Sequence, residues 1–182
     1  MKKPIFSNEE VKVQNKYWTV IQKDFVDSQN RKWNVITMKS SKQGWWTLIL
    51  ALTQDNKIIL NKDYKFWPDD FMYTLPWWFV EKWLLPSENI KKELEEETWF
   101  STDSEIISLW KTMQNWYISW YNELFFTKDC YKIWDTKTHE WEEIKNYLVS
   151  IEEFEKMLLN NEILDPYSEV CFYRVKNLNL LK

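Results

Sequence analysis

Three carboxylates, Glu93, Glu96 and Glu97, fall within Lys92-Glu93-Leu94-Glu95-Glu96-Glu97-Thr98. On a helix turning about 100° per residue they share one arc beside an apolar stripe of Ile90 and Leu94. Like charge packed this densely destabilises a helix unless a cation neutralises it, and hard divalent ions such as Mg²⁺ prefer oxygen ligands of this kind. The residues alone leave a second reading open, a solvated acidic face paired with Lys91 and Lys92. Elsewhere the same two-sidedness holds. His139, the single histidine, is a candidate base or simply a solvated side chain in a polar stretch. Asp69 and Asp70 suit a turn after Pro68 as well as a metal contact, and Phe66 and Tyr73 suit core packing as well as stacking on a nucleobase.

The elements that would hold these residues are readable from pattern. Pro86 and Ser87 mark the start of a helix running to Thr98. Before it, Thr47-Leu48-Ile49-Leu50-Ala51-Leu52-Thr53 and Lys57-Ile58-Ile59-Leu60 flank Gln54-Asp55-Asn56, which predicts a hairpin whose strands are buried on both faces. Residues 68–76, with Pro68 and Pro76, read as a loop. Extended segments are expected at 122–127 and 144–149, then a helix opened by the capping box Ser150-Ile151-Glu152-Glu153 and ending near Leu159. Asp165-Pro166 starts a last helix, with Asp as cap and Pro at the first helical position. Between Val11 and Met38 the pattern gives two or three short strands separated by polar turns. Mixed strands with helices on both sides predict an α/β sandwich, divided into an N-terminal β extension over residues 1–43 and a main domain over 44–182.

Composition narrows the function class. A formal net charge of -4 argues against a nucleic-acid binder, which needs a basic face to displace counterions from phosphates. No apolar run of transmembrane length and no signal core are present, so a cytoplasmic protein is expected. Cys130 and Cys171 lack zinc-site spacing and fit a reducing compartment.

One feature is abnormal. A chain of this length should carry roughly 13 glycines at about 7% usage, yet there is one glycine and there are 14 tryptophans. Glycine is needed where the backbone takes positive φ or approaches another group closely, and tryptophans such as Trp33 and Trp67 fall where turns are expected. This predicts a gene that uses UGA for glycine, translated with a table that reads UGA as tryptophan. The competing reading is a truly Trp-rich protein that binds carbohydrate or aromatic ligands.

The stretch from Leu75-Pro76-Trp77-Trp78 to Glu96-Glu97-Thr98-Trp99-Phe100 resembles the Nudix hydrolase family. The family's box reads Gly, five residues, Glu, seven residues, then Arg-Glu-apolar-any-Glu-Glu-any-Gly-apolar. Here Trp78 and Trp99 fall on its two glycines, Lys92 on its Arg, Glu96 and Glu97 on its paired acids, and Phe100 on its closing apolar residue. The isolated Glu falls on Leu84, and Lys92 replaces Arg, so the usual brace between loop and helix is absent or supplied by Glu81.

The resemblance covers roughly Thr47 to Leu164 and is greatest to the ADP-ribose pyrophosphatase branch. Tyr64-Lys65 matches a strand-end motif there, and His139-Glu140-Trp141-Glu142-Glu143-Ile144 matches an acidic loop. Thr74 replaces the Glu that often precedes Leu-Pro. The resemblance implies a Nudix-type α/β/α sandwich and attack of an activated water on a diphosphate phosphorus. It also implies Mg²⁺ or Mn²⁺ held by Glu93, Glu96, Glu97 and the backbone carbonyl of Trp78. Catalytic roles would fall to Glu93 and to Glu142 or Glu140, with Glu143 also open, and substrate contacts to Lys65 and Phe66. ADP-ribose or a nucleotide sugar is the expected substrate and a homodimer through the N-terminal strands the expected assembly. A non-catalytic nucleotide-binding module on the same fold is the alternative.

Overall fold

The computed structural model describes residues 3–40, 44–65, 68–81, 85–115, 117–133 and 144–181. At its centre the apolar run lies in β4 (Gly44–Thr53), which turns back into β5 (Lys57–Lys65). Asn56 takes φ 57° in that turn, a conformation Asn tolerates better than most residues. Strand β4 is apolar without alternation because both its faces are covered. Leu48, Leu50 and Leu52 belong to one core layer, Ile49 and Ala51 to the other.

The first layer is closed by α2 (Ile151–Leu159) and α3 (Pro166–Asn177), through Phe154, Met157, Cys171, Phe172 and Val175. The second is closed by α1 (Pro86–Thr98), whose Ile90 and Leu94 are fully buried against Ile49, Ile59 and Val80. The caps follow the sequence. Ser150 Oγ accepts from Glu153 N–H at 3.1 Å, and the Asp165 carboxylate accepts from the N–H groups of Tyr167 and Ser168, satisfying donors that a helix start leaves open.

The described strands all join one mixed 11-stranded sheet. β10 (Ile118–Lys132) runs parallel to β4 from Asn122↔Trp46 to Thr127↔Ala51, and β11 (Lys145–Ser150) pairs antiparallel with β5. At the far edge β1 (Ile5–Gln14), β2 (Trp18–Val26) and β3 (Lys32–Ser40) form an antiparallel unit, joined to β10 through the registered pair Ile118↔Met38. The mixed sheet with helices on both faces is the expected α/β class.

Two expectations are corrected. The stretch read as a loop contains β6 (Asp70–Thr74), paired with β5, and is followed by β7 (Trp77–Glu81), paired with β4. The short β8 (Phe100–Ser101) and the longer β9 (Ile107–Asn115) both pair with β10. Among the described residues, tryptophans also fall mainly in strands rather than turns: Trp33 is in β3, Trp45 and Trp46 in β4, Trp77 and Trp78 in β7, while Trp67 lies outside the described residues. Trp99, at the end of α1, and Trp110, within β9, differ in backbone conformation, with φ of 60° and 66°.

Candidate active site

Helix α1 carries the acids, and its end is defined by local bonding. Thr98 Oγ1 donates back to the Leu94 carbonyl at 2.5 Å, and Trp99, left-handed at the C-cap, donates its N–H to Glu95 O at 3.0 Å. That closure fixes Glu97 in the last turn, beside β5 and β11. Asn61 of β5 donates from Nδ2 to Glu97 Oε2 at 3.2 Å, and Asn146 of β11 donates from Nδ2 to the Glu97 carbonyl at 3.1 Å. Glu97 is thus held at side chain and main chain from two adjacent strands.

Glu93 lies one turn earlier and is half-buried like Glu97. Glu96 pairs with Lys92 at 3.4 Å, Lys91 reaches Asp103 at 3.3 Å, and Ser101 Oγ donates to Glu95 at 2.5 Å. The solvated, ion-paired reading therefore describes the outer side of the helix. Trp78 is buried under α1 at 4% exposure, its carbonyl accepts from Thr47 Oγ1 at 3.2 Å, and its indole Nε1 has no partner among the described residues.

Among the described residues, no three acidic, histidine or cysteine side chains converge to hold a metal ion. The donor chemistry still suits a hard cation, because the Glu93 and Glu97 carboxylates offer it oxygens. Glu93 and Glu97 stand on successive turns, and the Oδ1 of Asn61, beside Glu97, is buried without a partner. Glu140, Glu142, Glu143, His139, Phe66 and Leu84 lie outside the described residues.

Lys65 ends β5 in an ion pair with Asp63 at 2.5 Å, its ammonium 4.7 Å from the Trp77 ring. It lines a cavity of about 240 Å³ with Trp46, Met72, Trp77, Asn122 and Tyr167. Tyr64 donates its hydroxyl to Asp69, which raises its pKa. Burial pushes the Cys130 and Cys171 thiols up to about 12, so neither is a thiolate near neutrality. The residues that sequence reading missed are Asn61 and Asn146. Their signal was faint: Asn61 continues the buried run Ile58-Ile59-Leu60 where an apolar residue would be expected.

The arrangement belongs to a known fold class. A solved structure described as "Crystal structure of ADP compounds hydrolase" superposes with a TM-score of 0.85 at 17% sequence identity, covering 98% of this chain and 95% of that one. The chain thus shares the fold of that hydrolase. No protein-family model matches the sequence, and no curated protein matches it. No helix among the described residues is long and apolar enough to cross a membrane.

Proposed function

We propose that this chain is a Nudix-type, metal-dependent hydrolase that cleaves the diphosphate of a nucleoside diphosphate linked to another group, with ADP-ribose or a nucleotide sugar as substrate. The observation that carries the reading is Glu97, gripped by Asn61 and Asn146 on a helix whose sequence frame resembles the Nudix box, within a fold shared with an ADP compounds hydrolase. Glu93 and Glu97, with Glu96 once released from Lys92, would hold Mg²⁺ or Mn²⁺, which supplies charge neutralisation and an acidified water. The water oxygen bonds to one phosphorus, the bridging P–O bond breaks, and two phosphorylated products leave. Glu140 or Glu142 is proposed as the base, and Lys65 as a contact for substrate once freed from Asp63. The test is release of AMP from ADP-ribose with Mg²⁺ or Mn²⁺. Glu97→Gln should lower turnover by a factor on the order of 10² or more, and undiminished turnover would remove Glu97 from the site.

One observation favours a second reading, a nucleotide-binding module without catalysis. Lys92, at the family's Arg position, pairs with Glu96 within the helix. Nucleotide binding with no metal-dependent turnover would decide for the module.

We further propose that residues 1–43 act as a dimerisation extension to a domain over 44–182, that the protein works in the cytoplasm, and that tryptophans at the family's glycine positions are encoded by UGA. Of the eight described non-glycine residues with positive φ, six are Asn or Asp, which tolerate that region, and the other two are Trp99 and Trp110. Trp110 lies where the β9–β10 register slips between Ser108 and Lys111, a bulge position at which glycine is favoured. UGG codons at these positions would end the recoding proposal.

A further inference from the structure

Strand register places three polar residues side by side across three neighbouring strands. Asn61 of β5 is the partner of Thr74 on β6 and of Asn146 on β11, and registered partners present their side chains on one face of a sheet. Thr74 is 5% exposed and Asn61 2%. Each of the three has an oxygen that is buried and has no partner among the described residues: Thr74 Oγ1, Asn61 Oδ1 and Asn146 Oδ1. A lone buried acceptor left unsatisfied is costly, and three in one row need an explanation. Two of the three residues spend their N–H donors on Glu97, one on its carboxylate and one on its carbonyl. Their donors are thus turned toward Glu97 while the row keeps acceptors to spare, a pattern that calls for a ligand bringing donors.

We propose that Asn61 and Asn146 are positioning residues that fix Glu97, and that the row Thr74–Asn61–Asn146 accepts hydrogen bonds from the hydration shell of the divalent cation. The chemistry matches Mg²⁺, which gives up its waters reluctantly and is bound through one or two carboxylates with several waters retained. Neutral amide and hydroxyl oxygens accept from such waters without adding charge that would overbind the ion. The proposal rests on the metal-hydrolase reading above, and its test separates the two.

The probe is Mn²⁺ alone, titrated into the full-length chain and followed by the loss of free-ion electron paramagnetic resonance signal, with thermal melting in parallel. Partners that orient metal ligands typically contribute 10- to 100-fold in affinity. Asn61→Leu and Asn146→Ala should each weaken Mn²⁺ binding about tenfold or more. Because Asn61→Leu alters a buried site, Asn146→Ala, at a half-buried position, provides the second arm, and its melting curve shows whether the fold is intact. If Glu97→Gln weakens Mn²⁺ binding while the Asn61 and Asn146 variants bind as the parent does, the positioning proposal is overturned and the metal reading stands. If the parent chain and Glu97→Gln bind Mn²⁺ equally, or neither binds it, the metal reading fails and the proposal with it.

Discussion

Trp99 ends the acid-bearing helix with its side chain 40% exposed and its backbone left-handed. A bulky residue held there stores roughly 1–3 kcal/mol of strain that glycine would not. Trp99→Gly should therefore raise the melting temperature by a few degrees, whereas Trp33→Gly, within strand β3, should lower it because strand glycine weakens a sheet. A Trp99→Gly protein no more stable than its parent would show that the indole repays the strain. The acids of α1 were legible because their spacing and the flanking frame are both local in sequence. Asn61 and Asn146 were not, since their meaning depends on a register that brings residues 61, 97 and 146 together. An isolated Asn beside an apolar run reads as the end of a strand.

The helices were well marked because capping is local chemistry. The capping box at Ser150 and the Asp165-Pro166 pair fixed the starts of α2 and α3 to the residue. Strands β6, β7 and β9 escaped notice because Pro68, Pro76 and interspersed polar residues mask their alternation, and pairing with β4, β5 and β10 supplies the order that propensity does not. Asp165 does more than cap. It also accepts from Ser168 Oγ at 2.6 Å, and that hydroxyl accepts from Leu75 N–H at 3.0 Å, tying α3 to the end of β6. Asp165→Ala should cost about 1–2 kcal/mol in denaturant unfolding, toward the upper end of the range for cap removal. A loss near zero would mean that Ser168 holds the junction alone.

At the scale of the whole molecule the N-terminal strands stand out. β1 is exposed along its length, and Ile5, Phe6, Val11 and Val13 are each more than half exposed. Exposed apolar side chains on an edge strand are a hazard unless they are covered, and the proposed dimer through β1–β3 would cover them. Sedimentation should give a dimer for the full chain and a monomer once residues 1–40 are removed. A monomeric full chain would contradict this assembly.

Strand β10 has an implication for how the protein is made. It is the parallel partner of β4, the antiparallel partner of β8 and β9, and the link to β3, so the middle of the sheet cannot close until it exists. On the ribosome, Leu48 to Leu52 emerge about 75 residues before Leu124 to Thr127. At 5–20 residues per second, the most apolar strand waits roughly 4–15 s for its partner. During that interval the hairpin with β5 and the pairing with β7 are the shelter the growing chain offers it.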